Sequence, residues 1–372
     1  MQKKWHSLGL MSGTSGDGVD ASIIETNGVN QYHLIKDKFY EYDSDIYQNI
    51  HNLKEKIHKI EHLKVYNNEL NDLERRITIF HAKLIKELNI TNKTLIGFHG
   101  QTIYHNPGEK ISKQLGNGKL LNQLTNRKII FNFRSNDIFN GGQGAPLAPV
   151  FHHIIGLQNK IDLPVCFLNI GGISNITILK DKDNLSKLVG KDIGPGNCLI
   201  DNWVRKNSNK KFDLNGILAA SGTRNEIIFE QAQELYNNRN NKKKLSYDIN
   251  DFDISFIRGL SFEDGAATLT DFTASIIGKE LSLIIKKSKE KISKILLCGG
   301  GRKNKSLVKK IKENLPSSIN LELIDNYKID GDFIESQAFA FLAVRSFLKL
   351  PISYPNTTGC KKPCTGGELI EN

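Results

Sequence analysis

The sequence predicts an α/β fold in two domains, and three features indicate it. A chain of 372 residues is too long for one compact core, because single cores stop growing at about 250–300 residues. Short β-rich runs alternate with longer helical runs, as is typical of α/β proteins. Each half also opens with a strand, a glycine-rich turn and a second strand. We expect one domain over residues 1–155 and another over residues 156–372, whose C-terminal tail packs back on the first.

The first half is expected to begin with a β-hairpin formed by residues 8–11 and 19–25. Residues 46–88 carry apolar side chains at helical spacing, so helices are expected there. Two more apolar strands follow, over residues 94–98 and 128–133, and they end at His99 and Arg134.

The second half repeats this alternation. Residues 205–250 are rich in lysine and asparagine and are expected to form surface helix and loop. The tail, residues 350–372, should be irregular because of its prolines and glycines. Strands are expected over residues 164–169, 174–179, 188–190 and 294–298, and helices over residues 198–204, 268–287, 334–347 and from Lys305 onward.

Composition excludes several classes of protein. Hydrophobic residues make up 39% and charged residues 24% of the chain, which excludes a disordered or fibrous protein. No apolar run approaches the roughly 18 residues of a membrane span, and the start of the chain lacks the apolar region of a secretory signal. We therefore expect a soluble, cytoplasmic protein.

Cysteine usage agrees with a reducing compartment. The chain has five cysteines, and an odd number does not suit a complete disulfide framework. Cys360 and Cys364 are close in sequence, but no second Cys/His pair follows to complete a zinc site. Buried, reduced thiols are expected instead.

The net charge of +11 raises the alternative of nucleic-acid binding, since lysines can neutralise phosphates. The lysines are dispersed, however, with local clusters at residues 242–244 and 286–294. No nucleic-acid-binding module accompanies them. Solvated helix faces explain this pattern better, and we expect neither a nucleic-acid nor a membrane partner.

Glycine-rich turns follow three of the expected strands. In residues 13–20, glycines let backbone N–H groups approach a phosphate, and the hydroxyls of Thr14 and Ser15 can donate to it. Asp17 or Asp20 could hold Mg²⁺, mostly through water. A hairpin turn that simply needs glycine is the alternative. The arrangement recurs at residues 171–172 and 299–301. Three such turns, each directly after an apolar strand, indicate nucleotide binding more specifically than a single turn does.

Two carboxylates are candidates for catalysis. Asp192 precedes a Gly-Pro-Gly turn at a strand end, where a rigid carboxylate can act as a general base. The alternative is an Asx turn or a helix N-cap. Glu335 lies at the start of a helix, where a carboxylate also suits the helix dipole.

The segment between the halves, residues 132–149, is rich in glycine, glutamine, asparagine and arginine. Arg134 could bind a carboxylate bidentately and Gln143 could bond hydroxyls. With His99, Gln101 and Thr102, these residues could line a site for a carboxylate-bearing sugar. A structural Ω-loop is the alternative.

These motifs, in this order, resemble the anhydro-N-acetylmuramic acid kinase family over nearly the whole chain. The resemblance implies a two-lobed α/β fold of the actin-like (ribonuclease H-like) type, with nucleotide in a central cleft between the lobes. It implies conversion of 1,6-anhydro-N-acetylmuramic acid, ATP and water into N-acetylmuramic acid 6-phosphate and ADP during peptidoglycan recycling. ATP with Mg²⁺ and a homodimer are further implications.

The resemblance also assigns roles to residues. Asp192 matches the catalytic aspartate that activates the water attacking C1 while O6 takes the γ-phosphoryl group, and Glu335 is assigned as catalytic with it. From its position in the glycine-rich turn, Asp17 is the residue expected to hold Mg²⁺, largely through water. The ATP-binding residues are Gly13, Thr14, Ser15, Gly16, Asp17, Gly18, Val19, Asp20, Gly171, Gly172, Gly299, Gly300 and Gly301, and the substrate-binding residues are His99, Gln101, Arg134, Gln143 and Asn197.

Two positions depart from the family pattern. Gly16 stands where the family usually carries a larger apolar residue, and it could loosen the phosphate turn. Ile193 stands where a threonine is usual, which removes a hydroxyl beside Asp192. Neither change removes an acid, a base or a phosphate-binding backbone group, so activity is still expected.

Two other functions remain open at this point. One is a kinase of the same superfamily that acts on a different sugar or acid. The other is a nucleotide-binding regulator or assembly protein without sugar chemistry. The carboxylates Asp192 and Glu335, together with the polar lining of residues 134–149, favour the anhydro-sugar kinase.

Overall fold

The structure is a computed structural model that describes residues 3–239, 246–248 and 251–371. The chain forms two compact units. Unit 1 comprises Met1–Ile161, Asp181–Val189 and Asp332–Asn372, and unit 2 comprises Asp162–Lys180 and Gly190–Gly331. The chain therefore passes between the units more than once, and a division into lobes at residues 155 and 156 stays a prediction.

Strands and helices alternate along the chain, as the sequence predicts. The strands are β1 (Trp5–Ser12), β2 (Gly18–Thr26), β3 (Tyr32–Glu41), β4 (Leu95–Asn106), β5 (Ile111–Leu115), β6 (Ile129–Phe131), β7 (Val165–Ile170), β8 (Ile173–Leu179), β9 (Val189–Pro195), β10 (Lys294–Cys298), β11 (Asn320–Leu323) and β12 (Glu368–Ile370). The helices are α1 (Ser44–Lys56), α2 (Ile60–Val65), α3 (Asn67–Glu87), α4 (Gly118–Thr125), α5 (Ser135–Phe139), α6 (Pro149–Gln158), α7 (Cys198–Asn207), α8 (Ile217–Ser221), α9 (Glu226–Arg239), α10 (Phe262–Lys287), α11 (Lys305–Glu313), α12 (Ile334–Phe347) and α13 (Pro355–Thr358).

The sheet of unit 1 has the strand order β12-β6-β4-β1-β2-β3, and β5 pairs with β4 outside this path. The predicted hairpin is present, since β1 and β2 are antiparallel with Trp5 opposite Thr26. β4 is parallel to β1, and β6 is parallel to β4. Glycine-rich residues 13–17 thus join two neighbouring central strands.

The sheet of unit 2 has the order β11-β10-β7-β8-β9. β7 and β8 form the predicted antiparallel hairpin, and β10 lies parallel to β7 and to β11. When β5 and β12 are set aside, each sheet has five strands. If these are numbered by their order along the chain within the unit, both sheets have the spatial order 3-2-1-4-5. This shared order confirms the predicted α/β fold of the actin-like type.

Helix α12, predicted as a helix, is apolar on nearly every side and packs on the sheet of unit 1. Gly9 in β1 makes this packing possible, because a β-carbon there would collide with the backbone oxygen of Ser336 and the backbone nitrogen of Ala340. The absence of a side chain at Gly9 therefore sets how closely the first turn of α12, with Glu335, approaches the sheet.

Several sequence expectations were wrong in detail. β4 does not end at His99 but continues to Asn106, so His99, Gln101 and Thr102 are strand residues. The tail is not wholly irregular, because it contains α13 and β12. β3 was not predicted, since its mostly exposed residues lack an apolar pattern. Residues 242–244, one of the two lysine clusters, lie outside the described residues.

Within the described residues, none of the helices combines the length and the apolar character required to cross a membrane.

Candidate active site

The glycine-rich turn between β1 and β2 is closed by its own backbone and held by α1. The backbone N–H of Gly16 donates to Gly13 O at 3.2 Å. Lys54 Nζ donates to Thr14 O at 2.8 Å, and His51 Nε2 lies 2.9 Å from Ser15 O. Two carbonyl groups of the turn are therefore bound from the side of α1, which fixes the orientation of its peptide groups.

Gln101 supports the turn from β4. Its side chain is fully buried. Its Nε2 donates to Gly13 O at 3.0 Å, and its Oε1 accepts a hydrogen bond from Ser12 Oγ at 2.6 Å. These contacts make Gln101 a positioning residue for the turn. Its expected bond to the sugar stays a prediction.

Gly16 has the backbone conformation that favours glycine. Its φ is +62°, and an added β-carbon would lie 2.9 Å from Ile50 Cγ2. A larger residue would be strained by the left-handed backbone and crowded by α1. The departure from the family pattern at this position therefore matches the local backbone.

Replacing Gly16 with alanine is expected to lower the free energy of unfolding by about 1–2 kcal/mol, the cost of a left-handed residue with a β-carbon. Urea denaturation of the two proteins would measure it. Gly300→Ala is the matched control, because its added β-carbon meets no atom within 4 Å. Equal losses in the two variants would contradict this account of Gly16.

Acidic side chains of unit 1 gather around Asp20, at the start of β2. Burial, followed by the negative charges of Asp17, Glu335, Asp332 and Asp37, raises the pKa of Asp20 to about 8. The structure thus brings Glu335 close to Asp17 and Asp20, from which it is far apart in sequence. It adds Asp332 and Asp37, which the sequence analysis missed.

Asp37 lies on β3, the strand that was not predicted. Its Oδ1 accepts a hydrogen bond from Ser22 Oγ at 2.5 Å, and its Oδ2 accepts one from Gln337 Nε2 at 2.9 Å. Asp37 therefore links β2 with α12 beside the acidic group. The only sequence signal for Asp332 was its position three residues before Glu335.

His99 and Arg134 form a second polar group in unit 1. Arg134 Nη2 and Nε lie 2.9 and 3.2 Å from His99 Nε2, and Arg134 Nη1 donates to Gly144 O at 2.7 Å. Burial and then the charge of Arg134 hold the pKa of His99 well below its usual value. His99 is therefore neutral and accepts from Arg134 through Nε2, while its Nδ1–H donates to Gly100 O at 2.8 Å.

The loop that carries Gln143 is anchored to the C-terminal tail. The backbone N–H of Gln143 donates to Thr358 O at 2.8 Å, and that of Gly144 donates to Asp137 Oδ2 at 2.7 Å. Arg134 is thus positioned in part by His99 and Gln143 by Thr358, two partners that lie outside residues 132–149.

In unit 2, two glycine-containing turns are joined by backbone hydrogen bonds. The N–H of Gly196 donates to Gly172 O and that of Asn197 to Gly171 O, both at 2.8 Å. A β-carbon added to Gly301 would lie 3.0 Å from Asn197 Nδ2. The three glycine-containing turns of this unit, which follow β7, β9 and β10, are therefore neighbours, and Asn197 lies among them.

Asp192 lies within β9 and its residue is 6% exposed. Its Oδ2 accepts a hydrogen bond from the backbone N–H of Tyr247 at 2.9 Å. The alternative of a helix N-cap does not apply, because α7 begins six residues later after Asn197. Ile193 is buried, so its apolar side chain packs in the core of the unit.

Arg302 is a residue that the sequence analysis missed. Its backbone N–H and its Nη1 both donate to Gly299 O, and its guanidinium also pairs with Asp325 and Asp330. Gly299 is tied in turn to Gly331 by a backbone hydrogen bond of 3.0 Å. The signal in the sequence was an arginine placed directly after three glycines.

The strand order shared by the two units defines a protein of the actin-like class. A model of the family described as anhydro-N-acetylmuramic acid kinase matches residues 5–372. The chain is 54% identical to the anhydro-N-acetylmuramic acid kinase of Pelagibacter ubique (strain HTCC1062) over 376 residues, with all of both chains covered. The chain belongs to the anhydro-N-acetylmuramic acid kinase family, which confirms the predicted family.

Two more distant relatives carry the same name. The anhydro-N-acetylmuramic acid kinase of Zymomonas mobilis is 36% identical, with 98% of this chain and 99% of the relative covered. That of Agrobacterium fabrum is 33% identical, with 98% of both chains covered. The similarity therefore spans both units.

Proposed function

We propose that this protein uses ATP and water to convert 1,6-anhydro-N-acetylmuramic acid into N-acetylmuramic acid 6-phosphate and ADP, in the recycling of peptidoglycan. The observation that carries the proposal is the full-length match to the family, including 54% identity to one relative across both chains. The positions of the glycine-rich turns and carboxylates within each unit support it.

The glycine-rich turns are the proposed nucleotide site. In unit 1, residues 13–20 would bind phosphate through backbone N–H groups whose orientation is set by Lys54, His51 and Gln101. In unit 2, residues 171–172 would bind phosphate, and residues 299–301 would lie along the adenosine. Transfer of the γ-phosphoryl group depends on positioning and charge neutralisation more than on covalent chemistry.

Asp192 is the proposed general base. It would take a proton from water while the water oxygen bonds to C1 of the sugar and the bond from C1 to O6 breaks. O6 would then bond to the γ-phosphorus as ADP leaves. The hydrogen bond from Tyr247 N–H holds one carboxylate oxygen, and a base held in this way can orient the water. Glu335 is proposed to assist from the first turn of α12.

Arg134 is proposed to bind the carboxylate of the sugar, with His99 positioning it. His99 cannot be charged at neutral pH, because burial and Arg134 keep its pKa low. Its Nε2 therefore acts as a fixed acceptor for the guanidinium. Gln143 and Asn197 complete the proposed sugar contacts.

The carboxylates of unit 1 fit a divalent cation. Asp20 is held protonated up to about pH 8 by burial and by the negative charges around it, chiefly that of Asp17. A cation such as Mg²⁺ would compensate these charges, and we propose that Asp17 holds it largely through water. When bound, Mg²⁺ supplies charge neutralisation for the phosphates of ATP.

The stability of the metal-free protein is expected to fall as the pH rises from about 5 to about 8. The folded-state pKa of Asp20, about 8, lies above the ordinary value of 3.8, so the protonated carboxyl stabilises the folded state at low pH and this contribution is lost as the pH approaches 8. Melting temperatures in EDTA should show a smaller fall for Asp20→Asn. Mg²⁺ should restore part of the lost melting temperature in the wild type only. Parallel curves of melting temperature against pH for the two proteins would contradict this account of Asp20.

A coupled ADP-release assay tests the proposed function. The anhydro sugar should support ADP release, while a panel of ordinary amino sugars and sugar acids should not. A different preferred sugar would favour the alternative of a related kinase, and ATP binding without turnover on any sugar would favour a regulator. The homodimer is a separate proposal, which light scattering of the purified protein would check.

A further inference from the structure

Three metal-ligating side chains meet in unit 1, outside the proposed reaction chemistry. The ligand atoms of Asp137, Cys360 and Cys364 all lie within 4.8 Å of one another. The three residues are 1%, 1% and 4% exposed. Asp137 comes from α5, whereas both cysteines come from the tail, so the cluster is formed only by the fold.

Asp137 is a buried carboxylate with neutral partners. Its Oδ1 accepts hydrogen bonds from Ser353 Oγ at 2.5 Å and Thr358 Oγ1 at 2.7 Å, whereas its Oδ2 accepts one from Gly144 N–H at 2.7 Å. Within the described part of the chain, no lysine or arginine forms an ion pair with it. A buried charge is costly without a counter-charge, and a carboxylate oxygen with one donor can still accept a second bond.

We propose that Asp137, Cys360 and Cys364 form a binding site for a thiophilic divalent cation of the Zn²⁺ type. Two cysteine sulfurs and a carboxylate oxygen are ligands that zinc takes at about 2.0–2.3 Å, so ligand atoms around it lie about 3.3–3.8 Å apart. Binding would bring the ligand atoms, which now lie within 4.8 Å of one another, to that spacing. A water molecule or Ser353 Oγ would fill the fourth position.

The charge of the site is unchanged by such binding. One divalent ion replaces the two protons released from the thiols, so the net charge is the same before and after binding. The carboxylate then gains a direct cationic partner, and the sulfurs bind as thiolates.

The site would join the tail to the loop that carries the proposed sugar-binding residues. Hydrogen bonds already link Gln143 N–H to Thr358 O and Lys361 N–H to Asn140 O. A metal held by Asp137 from one segment and two cysteines from the other would crosslink them. We therefore assign the ion a structural role, distinct from the proposed Mg²⁺ near Asp17.

Titration of the metal-free, full-length protein with Co²⁺, a spectroscopic substitute for zinc, tests the proposal. One ion per chain should bind with a sulfur-to-cobalt charge-transfer absorption, and Zn²⁺ should displace it. Cys360→Ser and Cys364→Ser should each weaken Co²⁺ binding at least about 100-fold, and Asp137→Asn at least about 10-fold. Residues that only hydrogen-bond to metal ligands already change metal affinity by about 10–100-fold when they are replaced. Cys166→Ala, which removes a buried thiol in β7, should bind as the wild type does.

A measurement on the wild type alone guards against variants that fail to fold. Zn²⁺ should protect Cys360 and Cys364 from alkylation, detected by mass spectrometry, and leave the labelling of the half-buried Cys198 unchanged. Absence of stoichiometric binding, retained binding in the Cys360→Ser variant, or equal protection of Cys198 would each overturn the proposal. These readouts do not depend on kinase activity.

Discussion

Replacing Asp192 with asparagine is expected to lower sugar phosphorylation by about 10²–10⁴-fold, the usual contribution of a general base. The amide cannot take the proton from water, whereas its oxygen can still accept the hydrogen bond from Tyr247 N–H that Oδ2 accepts now. ATP binding should therefore change little. The decisive comparison is turnover in the ADP-release assay against ATP affinity from calorimetry.

Asp213→Asn is the matched control for this variant. Asp213 is in the same unit and is 7% exposed, close to the 6% of Asp192. Its two oxygens accept hydrogen bonds from the backbone N–H groups of Leu218 and Ala219, so its replacement should reduce stability but not turnover per folded molecule. Equal turnover of Asp192→Asn and the wild type would reject Asp192 as the base.

Replacing Arg134 with alanine is expected to raise the KM for the anhydro sugar by about 10–150-fold, since a hydrogen bond to a charged group contributes about 1.5–3 kcal/mol. The KM for ATP should change much less. Arg134→Lys should recover only part of the loss, because an ammonium group cannot replace the planar fork that faces His99 and Gly144. Steady-state kinetics with each substrate varied in turn would measure both constants.

Arg127→Ala provides the control for general damage to unit 1. Arg127 also donates to backbone carbonyl groups, those of Ile90 and Thr91, but it lies outside the proposed site. Its replacement should lower the melting temperature and leave the sugar KM unchanged. If Arg134→Ala raised the KM for ATP alone, the assignment of Arg134 to the sugar would be wrong.

Local patterns were sufficient to predict the central elements of the fold. The apolar runs that form β1, β7 and β10 are continuous because these strands are buried on both faces. The predicted span of α12 agrees with its observed bounds. Exposed or short elements such as β3 and β12 were missed, because pairing with a neighbouring strand creates them while their own residues show no apolar pattern.

The candidate site was predicted only in part, and the omissions have a common cause. The role of Gln101 in holding the glycine-rich turn was missed, because it depends on the continuation of β4 beyond His99. Asp37, Asp332 and Arg302 were missed because their partners are distant in sequence. The cluster of Cys360 and Cys364 with Asp137 was missed because Asp137 lies far earlier in the chain.

The order of motifs along the chain by itself determined the family, the alternation of strands and helices, and the glycine-rich turns that follow three strands. The tertiary structure decided the protonation of Asp20 and His99, the hydrogen bonds that hold Arg134, and the meeting of one carboxylate with two thiols. The physical reason is that burial and electrostatic interactions depend on distance in space, and residues separated by hundreds of positions become neighbours only when α12 and the tail pack on the sheet of unit 1.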